Sequence, residues 1–255
     1  MNFKEIKKYW DDRASTDSTA QSTTQDVYLR EIECNVLSER INKYKPRSVA
    51  DMGCGDGRTT IKLSQKYLSS LFSGYDYSSH MISNANDLIS TMSIHNLKFE
   101  QQDVCEKLTQ YFDLIYTTRC LINLPSWDLQ KDAIENIHKA LNKNGLYLMI
   151  ENFIDGHENF NQVRKDFGLP EIGMRDHNNF FNRKELLDFI SGYFSVVEEV
   201  NISSTYYLVS RVIYSKICSE KNLNIDYFND HHRYAAGLPF SGEFGPVRLI
   251  CLKKL

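Results

Sequence analysis

The residues best placed to do chemistry lie in V-A-D-M-G-C-G-D-G-R-T-T, Val49 to Thr60. An acid, Asp51, closes an apolar run, and glycines follow at 53, 55 and 57. Glycines so spaced let a strand turn tightly enough for its backbone to approach a bound molecule. The first N–H groups of a helix opening at Thr59-Thr60-Ile61 then point back at that molecule. Two ligand types compete for such a loop. The dinucleotide fingerprint, G-x-G-x-x-G, needs a third glycine where this chain has Arg58. A carboxylate two residues before the first glycine suits a ligand with an ammonium group and a positive centre better than one with a pyrophosphate.

Further candidates recur at the ends of later apolar runs. Asp76 closes S-L-F-S-G-Y-D and can accept from both hydroxyls of a ribose. Tyr77 beside it and Met81 one turn later can cover a purine face, although a helix cap and a core methionine are the plain readings of Asp76 and Met81. Asp103, in Q-Q-D-V, sits where an adenine amino group would need an acceptor. F-D-L-I-Y-T-T-R-C-L-I-N-L brings Arg119 to a strand's carboxyl end, and Tyr207 and Arg211, four apart, share a helix face. His177-Asn178 and His231-His232-Arg233-Tyr234 add donors. A structural arginine paired with a carboxylate is the plain alternative for Arg119, and a single histidine is more often structural than catalytic. Several donors and cations gathered late in an otherwise acidic chain nevertheless favour an anionic acceptor such as a phosphate, phosphoramidate or carboxylate.

These positions need a scaffold of alternating strands and helices. Helical spacing marks residues 3–10 and 26–43, the second with Val27, Ile32, Val36, Leu37 and Ile41 on one face and Pro46 after it. Strands are expected at 48–52, 70–76, 97–102, 112–117 and 146–151, with helices at 79–92 and 127–141 and a short one after 102. Asn144-Gly145 reads as the cap of the helix 127–141. Residues 153–183 read as loop-rich. A helix at 184–191, a strand at 193–202, a helix at 205–219 and a strand at 246–253 complete the chain. Strand–helix alternation with near-continuous apolar strands implies an α/β fold with a mostly parallel sheet covered on both faces. The small polar run 14–25 reads either as a plain loop or as a lid that orders over a ligand. We divide the chain into residues 1–45 (N-terminal helices and lid), 46–152 (cofactor-binding core) and 153–255 (the rest of the sheet with two insertions, making a helical cap), in one domain overall.

Composition narrows the function. The chain has 255 residues, with 30 Lys plus Arg against 33 Asp plus Glu and a net charge of −3, so no nucleic-acid partner is expected. Six cysteines without a C-x-x-C pair suggest neither a disulfide framework nor a zinc site. No signal-peptide core and no apolar run long enough to span a bilayer is present, so the expected location is the cytoplasm, with no membrane partner.

Taken in order, Asp51-x-Gly53-x-Gly55, Asp76 and Asp103, spaced at successive strand ends, resemble the motifs of the class I S-adenosylmethionine-dependent methyltransferases over about residues 46–152. R-C-L-I-N-L, R-D-H-N-N-F-F (175–181), S-T-Y-Y-L-V-S-R-V (204–212) and L-P-F-S-G-E-F-G-P (238–246) resemble a bacterial small-molecule subgroup met in polysaccharide and secondary-metabolite pathways. The resemblance implies a seven-stranded sheet of order 3-2-1-4-5-7-6 with the last strand antiparallel, and S-adenosyl-L-methionine as cofactor. It implies that Gly53 and Gly55 approach the methionine part and that Asp51 holds its ammonium through water or backbone. Asp76 would bind the ribose and Asp103 with Val104 the adenine, Tyr77 and Met81 would cover the purine face, and Thr118 would border the cofactor. The metal-binding Asp of catechol-type relatives is replaced by Thr118-Arg119, so no metal is expected. The N-P-P-Y tetrad of amino-methylating nucleic-acid enzymes is missing.

The expected activity is methyl transfer to an oxygen of a small, anionic or sugar-derived acceptor, by a monomer or homodimer. Arg119 would stand beside the sulfonium, and Asn178, Tyr207 and Arg211 would bind the acceptor. An anionic oxygen needs no base; a hydroxyl needs one, for which His177, His232 and Glu151 are the candidates. An N-methyltransferase acting on an amino sugar is the alternative within the class, and a non-catalytic S-adenosylmethionine- or nucleotide-binding regulator the alternative outside it.

Overall fold

Side chains on successive strand residues point to opposite faces, and here each face meets its own helical layer. The computed structural model describes residues 1–16 and 24–255. Seven strands form one sheet: β1 (Ser48–Met52), β2 (Leu71–Asp76), β3 (Leu97–Gln101), β4 (Phe112–Thr118), β5 (Leu141–Asn152), β6 (Phe194–Asn201) and β7 (Val247–Lys254). Their order is 3-2-1-4-5-7-6, as expected. β1 to β5 pair in parallel, and β7 runs antiparallel between β5 and β6.

On one face, Leu114, Tyr116, Leu148 and Leu249 pack with Leu29, Ile32, Val36, Leu37 and Ile41 of α2 (Val27–Tyr44). On the other, Ile115, Tyr147, Met149 and Ile250 meet Ala133, Ile134 and Ile137 of α5 (Trp127–Ala140) and Leu186 and Ile190 of α7 (Arg183–Ile190). Side-chain caps start these helices: Asp26 accepts from Leu29 N at 3.0 Å, Ser126 from Leu129 N at 3.3 Å and Asn182 from Glu185 N at 3.2 Å. Each such cap contributes about 1 kcal/mol. α3 (Arg58–Lys66) and α4 (Ser79–Ser90) follow β1 and β2, and Ser78 caps α4 through Met81 N.

Several expectations are corrected. α1 (Phe3–Thr16) runs six residues past the expected 3–10 and takes in the start of the run 14–25 read as a loop or lid; residues 17–23 of that run lie outside the described residues. Residues 102–111 form turns without a helix. Asn144-Gly145 is no helix cap: α5 ends at Ala140 and the chain enters β5 at once. Asn144, at φ 62, belongs to a bulge, because Phe112 pairs with Leu141 but Leu114 pairs with Leu146. The stretch read as loop holds α6 (Ile154–Asp166), whose buried residues are Gly156, Phe160 and Arg164. Those three recur at helical spacing, but only one is a large apolar residue, so no hydrophobic stripe announces the helix.

The second insertion is also helical: α8 (Ser204–Tyr207), a π-turn at Leu208–Ile213, α9 (Tyr214–Glu220) and α10 (Asp230–Ala236). Among the described residues no helix is long and apolar enough to cross a membrane.

Candidate active site

β1 ends in a loop that only glycine can build. Gly53, Gly55 and Gly57 have φ of 80°, 54° and 73°. A Cβ on Gly53 would lie 2.3 Å from Cys120 Sγ. Gly53 N and Cys54 N both donate to Tyr75 O, and Gly55 N donates to Asp76 Oδ2 at 2.9 Å, so the loop is laced to β2. Asp76 accepts again from Ser78 N at 3.0 Å. Asp51, 3% exposed, accepts from Thr60 Oγ1 at 2.5 Å and Tyr116 OH at 2.9 Å. Burial outweighs these donors, pushing Asp51 up to about 7 and Asp76 up to about 6.

A cavity of about 440 Å³ opens over these strand ends. Asp51, Gly53, Gly55, Asp76, Tyr77, Met81, Asp103, Val104 and Thr118 all border it, as do Arg119, His177, Asn178, Tyr207 and Arg211. Of the expected catalytic and binding residues, two are not brought to it, Glu151 and His232. Its ring is fully buried, with Nε2 3.1 Å from Asp226 O and Tyr214 and Tyr227 packed alongside. It holds the inserted helices together and reaches no substrate. Glu151 is equally spent. Where β4 turns over the loop, Arg119 adopts φ 50°, and the Glu151 carboxylate accepts from Cys120 N, Leu121 N and Ile122 N at 3.1, 3.0 and 3.3 Å. A carboxylate at the start of the short 3₁₀ turn Leu121–Asn123 is satisfied there and is no base for an acceptor.

The expected pair of anion-binding arginines is also corrected. Arg119 forks onto buried Glu33, with Nε to Oε1 at 2.7 Å and Nη2 to Oε2 at 3.1 Å. Arg211 Nη2 reaches Asp26 Oδ2 at 2.5 Å, and its guanidinium stacks 3.7 Å above the Tyr227 ring. Both cations are therefore largely neutralised by α2. Of these two guanidinium groups, that of Arg211 keeps one buried nitrogen, Nη1, without a partner among the described residues.

Other residues at the cavity had not been singled out. Phe3, Ile6, Lys7 and Trp10 present one face of α1 to it. Lys7 ion-pairs with Asp103 Oδ2, while Asp103 Oδ1 accepts from Cys105 N at 2.9 Å. Tyr77 OH donates to Lys7 O at 3.1 Å. Tyr9 stacks on His177 at 4.6 Å, and Trp10 Nε1 donates to Asn123 Oδ1 at 3.3 Å. α1 thus touches both ends of the cavity. The helical spacing of 3–10 was legible, but nothing in it said what that face covers. His157, Phe160, Arg175, Phe180 and Tyr227 also line the acceptor end. Arg175 and Phe180 lay within R-D-H-N-N-F-F, the string already noted. Burial, and Arg175 beside it, lower the His177 pKa, so its imidazole is neutral near pH 7.

The site fits the cofactor that the sequence motifs imply. Two buried carboxylates with raised pKa values border, beside the glycine loop, a cavity that a cationic, hydroxyl-bearing ligand would relieve. Asp51 and Gly53 would hold the ammonium end and Asp76 the ribose. Asp103 has its carboxylate shared with Lys7.

Comparison with known proteins agrees. A family model described as a methyltransferase domain matches residues 45–179, more than half of the chain. Trans-aconitate 2-methyltransferase of Deinococcus radiodurans is 36% identical over 77 residues, 30% of this chain and 28% of that protein. Malonyl-[acyl-carrier protein] O-methyltransferase of Bacillus cereus is 24% identical over 69% of this chain and 64% of its own length. The chain thus spans between about a quarter and two thirds of these curated relatives. Among solved structures, magnesium protoporphyrin IX methyltransferase from Synechocystis PCC 6803, with bound S-adenosylhomocysteine, shares the fold with a TM-score of 0.64 at 15% identity, covering 99% of both chains.

Proposed function

The chain belongs to the methyltransferase domain family, and on that premise we propose that it transfers a methyl group from S-adenosyl-L-methionine to an oxygen of a small, sugar-derived or anionic metabolite, such as a precursor of a cell-surface polysaccharide. One observation carries the reading. Asp51, Gly53, Gly55, Asp76 and Asp103 border the same cavity as His177, Asn178, Tyr207 and Arg211, so donor and acceptor groups share one space.

S-adenosyl-L-methionine, when bound, supplies a methyl group on an already positive sulfur. The chain's own task is then chiefly alignment and exclusion of water. Asp51 and Asp76 orient the donor end, and Phe3, Ile6 and Trp10 of α1 shield it. Neutral His177 takes the proton of a hydroxyl acceptor, its ring held flat against Tyr9.

The acceptor carboxylates, Asp26 and Glu33, are committed to Arg211 and Arg119, which leaves little to hold an amine and favours oxygen over nitrogen. Arg175 at the cavity edge and the unpartnered Nη1 of Arg211 support an anionic group on the acceptor, in place of the two-arginine clamp expected from sequence. The two curated relatives are named for trans-aconitate and malonyl-acyl-carrier protein, both acids, which supports the same class.

The test is labelled S-adenosyl-L-methionine incubated with the protein and a panel of sugar nucleotides and phosphorylated sugars, alongside calorimetry with S-adenosylhomocysteine and NAD. Label in a sugar ether or acid ester is expected. Tight NAD binding without S-adenosylhomocysteine binding overturns the reading.

A further inference from the structure

His157 and Asn161 lie four residues apart on α6, hence on one face of that helix. The Asn161 side chain is oriented without ambiguity by the backbone of Ile172. Its Oδ1 accepts from Ile172 N at 2.9 Å, and its Nδ2 donates to Ile172 O at 3.1 Å. Exchanging the amide oxygen and nitrogen would set donor against donor and acceptor against acceptor. The same Nδ2 lies 3.2 Å from His157 Nε2. An NH₂ group facing that nitrogen requires a lone pair there, so Nε2 carries no hydrogen and the proton of the neutral ring is on Nδ1. Phe180 meets the ring edge-on at 5.4 Å and Phe160 lies at 6.4 Å, which fixes its plane. His157 borders the cavity, and among the described residues no protein group accepts from Nδ1.

We propose that Asn161 locks His157 as the neutral Nδ1–H tautomer and that His157 offers this N–H to an oxygen of the methyl acceptor. The second half rests on the methyltransferase reading above. His157 is then a binding residue for a carbonyl, carboxylate, phosphate or sugar oxygen, and Asn161 a positioning residue that acts through it. The pair also lets the loop carrying Met174, Arg175 and His177 report on the site, because Ile172 in that loop sets the amide that sets the tautomer. Burial lowers the His157 pKa, against the opposing pull of Glu158 and Glu171, which keeps the ring neutral in use.

The first half is read directly by long-range proton–nitrogen correlation NMR of the whole protein labelled at its histidine rings, with His157→Gln identifying the signal. The Nδ1–H pattern is expected for His157. In Asn161→Asp, whose carboxylate faces Nε2 with acceptors only, the proton should move to Nε2 or the ring should become doubly protonated. A wild-type ring protonated on Nε2, or an unchanged pattern in Asn161→Asp, overturns the lock.

For the second half, His157→Phe should lose at least tenfold in methyl transfer to the sugar-phosphate panel, while its affinity for S-adenosylhomocysteine stays within twofold of wild type. His157→Gln, which keeps an N–H donor, should recover part of that loss. Wild-type turnover in His157→Phe overturns the acceptor role. A wild type that binds S-adenosylhomocysteine yet methylates nothing in the panel or in a metabolite extract overturns the methyltransferase reading and the acceptor role with it, whereas the NMR result judges the lock by itself.

Discussion

Arg119 lies along Glu33 with its Nε 2.7 Å from one carboxylate oxygen and its Nη2 3.1 Å from the other. The pair ties the end of β4 to α2, and Glu33 is only 1% exposed. The Glu33 carboxylate has left water while the Arg119 side chain keeps 24% of its surface exposed, so removing either charge leaves the other without its partner. Glu33→Gln is therefore expected to lower the unfolding free energy by about 3 kcal/mol, and Arg119→Lys, which keeps the charge but loses the fork, by less. Urea denaturation of the three proteins checks this; equal midpoints would mean that the pair is held in place without stabilising anything.

Gly53 is where the cofactor loop has least tolerance. Its φ of 80° is strained for any residue with a Cβ, and that atom would meet Cys120 Sγ at 2.3 Å. Gly53→Ala should cost about 1–3 kcal/mol of stability from overpacking alone and abolish measurable binding of S-adenosylhomocysteine. Adding Cys120→Gly removes both the Sγ and the Cβ, which lie 2.3 and 2.7 Å from the added atom, but not the backbone strain, so the double variant should recover stability partially. Complete recovery would show that strain at this φ is unimportant.

Asp76 serves both the loop and its proposed ligand. Asp76→Ala should weaken S-adenosylhomocysteine binding by roughly 1.5–3 kcal/mol, the scale of hydrogen bonds to a charged group. It also strips the acceptor from Gly55 N and Ser78 N, so amide exchange at those two positions should quicken. Calorimetry with unchanged affinity in the folded variant would remove Asp76 from the site.

Binding should depend on pH through the two buried carboxylates. Burial raises Asp51 from 3.8 to about 7 and Asp76 from 3.8 to about 6. In the ligand-free protein both hold protons below those values, whereas a cationic ligand favours the ionised forms. Affinity for S-adenosylmethionine should thus be level above about pH 7 and fall below it, by about tenfold per pH unit for each group once well below its value. Folding responds in the opposite sense. A carboxyl whose folded value is raised adds stability that is fully present below about pH 4 and is lost as pH rises through about 7. Asp51→Asn should flatten that part of the stability profile. Calorimetry and thermal melts across this range provide the check, and a pH-independent affinity would contradict it.

The alternation of strands and helices and the row of groups at the strand ends were legible because both rest on local rules, whereas the order of the strands came from the resemblance to a known family. Apolar runs of strand length alternate with amphipathic helices, and acids and glycines recur at strand ends. Asp51, Gly53, Gly55, Asp76 and Asp103 needed no knowledge of distant residues, since each sits where its own strand stops. α6 was missed for an equally local reason: its buried face is Gly156, Phe160 and Arg164, and a period of one apolar residue in three is no signal. Asn144-Gly145 misled because a bulge and a helix cap ask for the same left-handed residue.

What the sequence by itself determined is thus the sheet and the row of groups along its carboxyl edge, set by residues a few positions apart. Only the tertiary structure decided the fate of the charged and polar residues beyond it. Arg119 and Arg211 look free in a linear chain, but Glu33 and Asp26, from a helix 86 and 185 residues earlier, reach them first. His232 and Glu151 look like bases, but one is sealed among tyrosines and the other is spent on three backbone N–H groups. His157 carried no motif, and its tautomer depends on the direction of an amide set by Ile172. The physical reason is the same in each case. The state of a buried charge or imidazole is fixed by its nearest partner in space, and composition and spacing carry no record of which partner that will be.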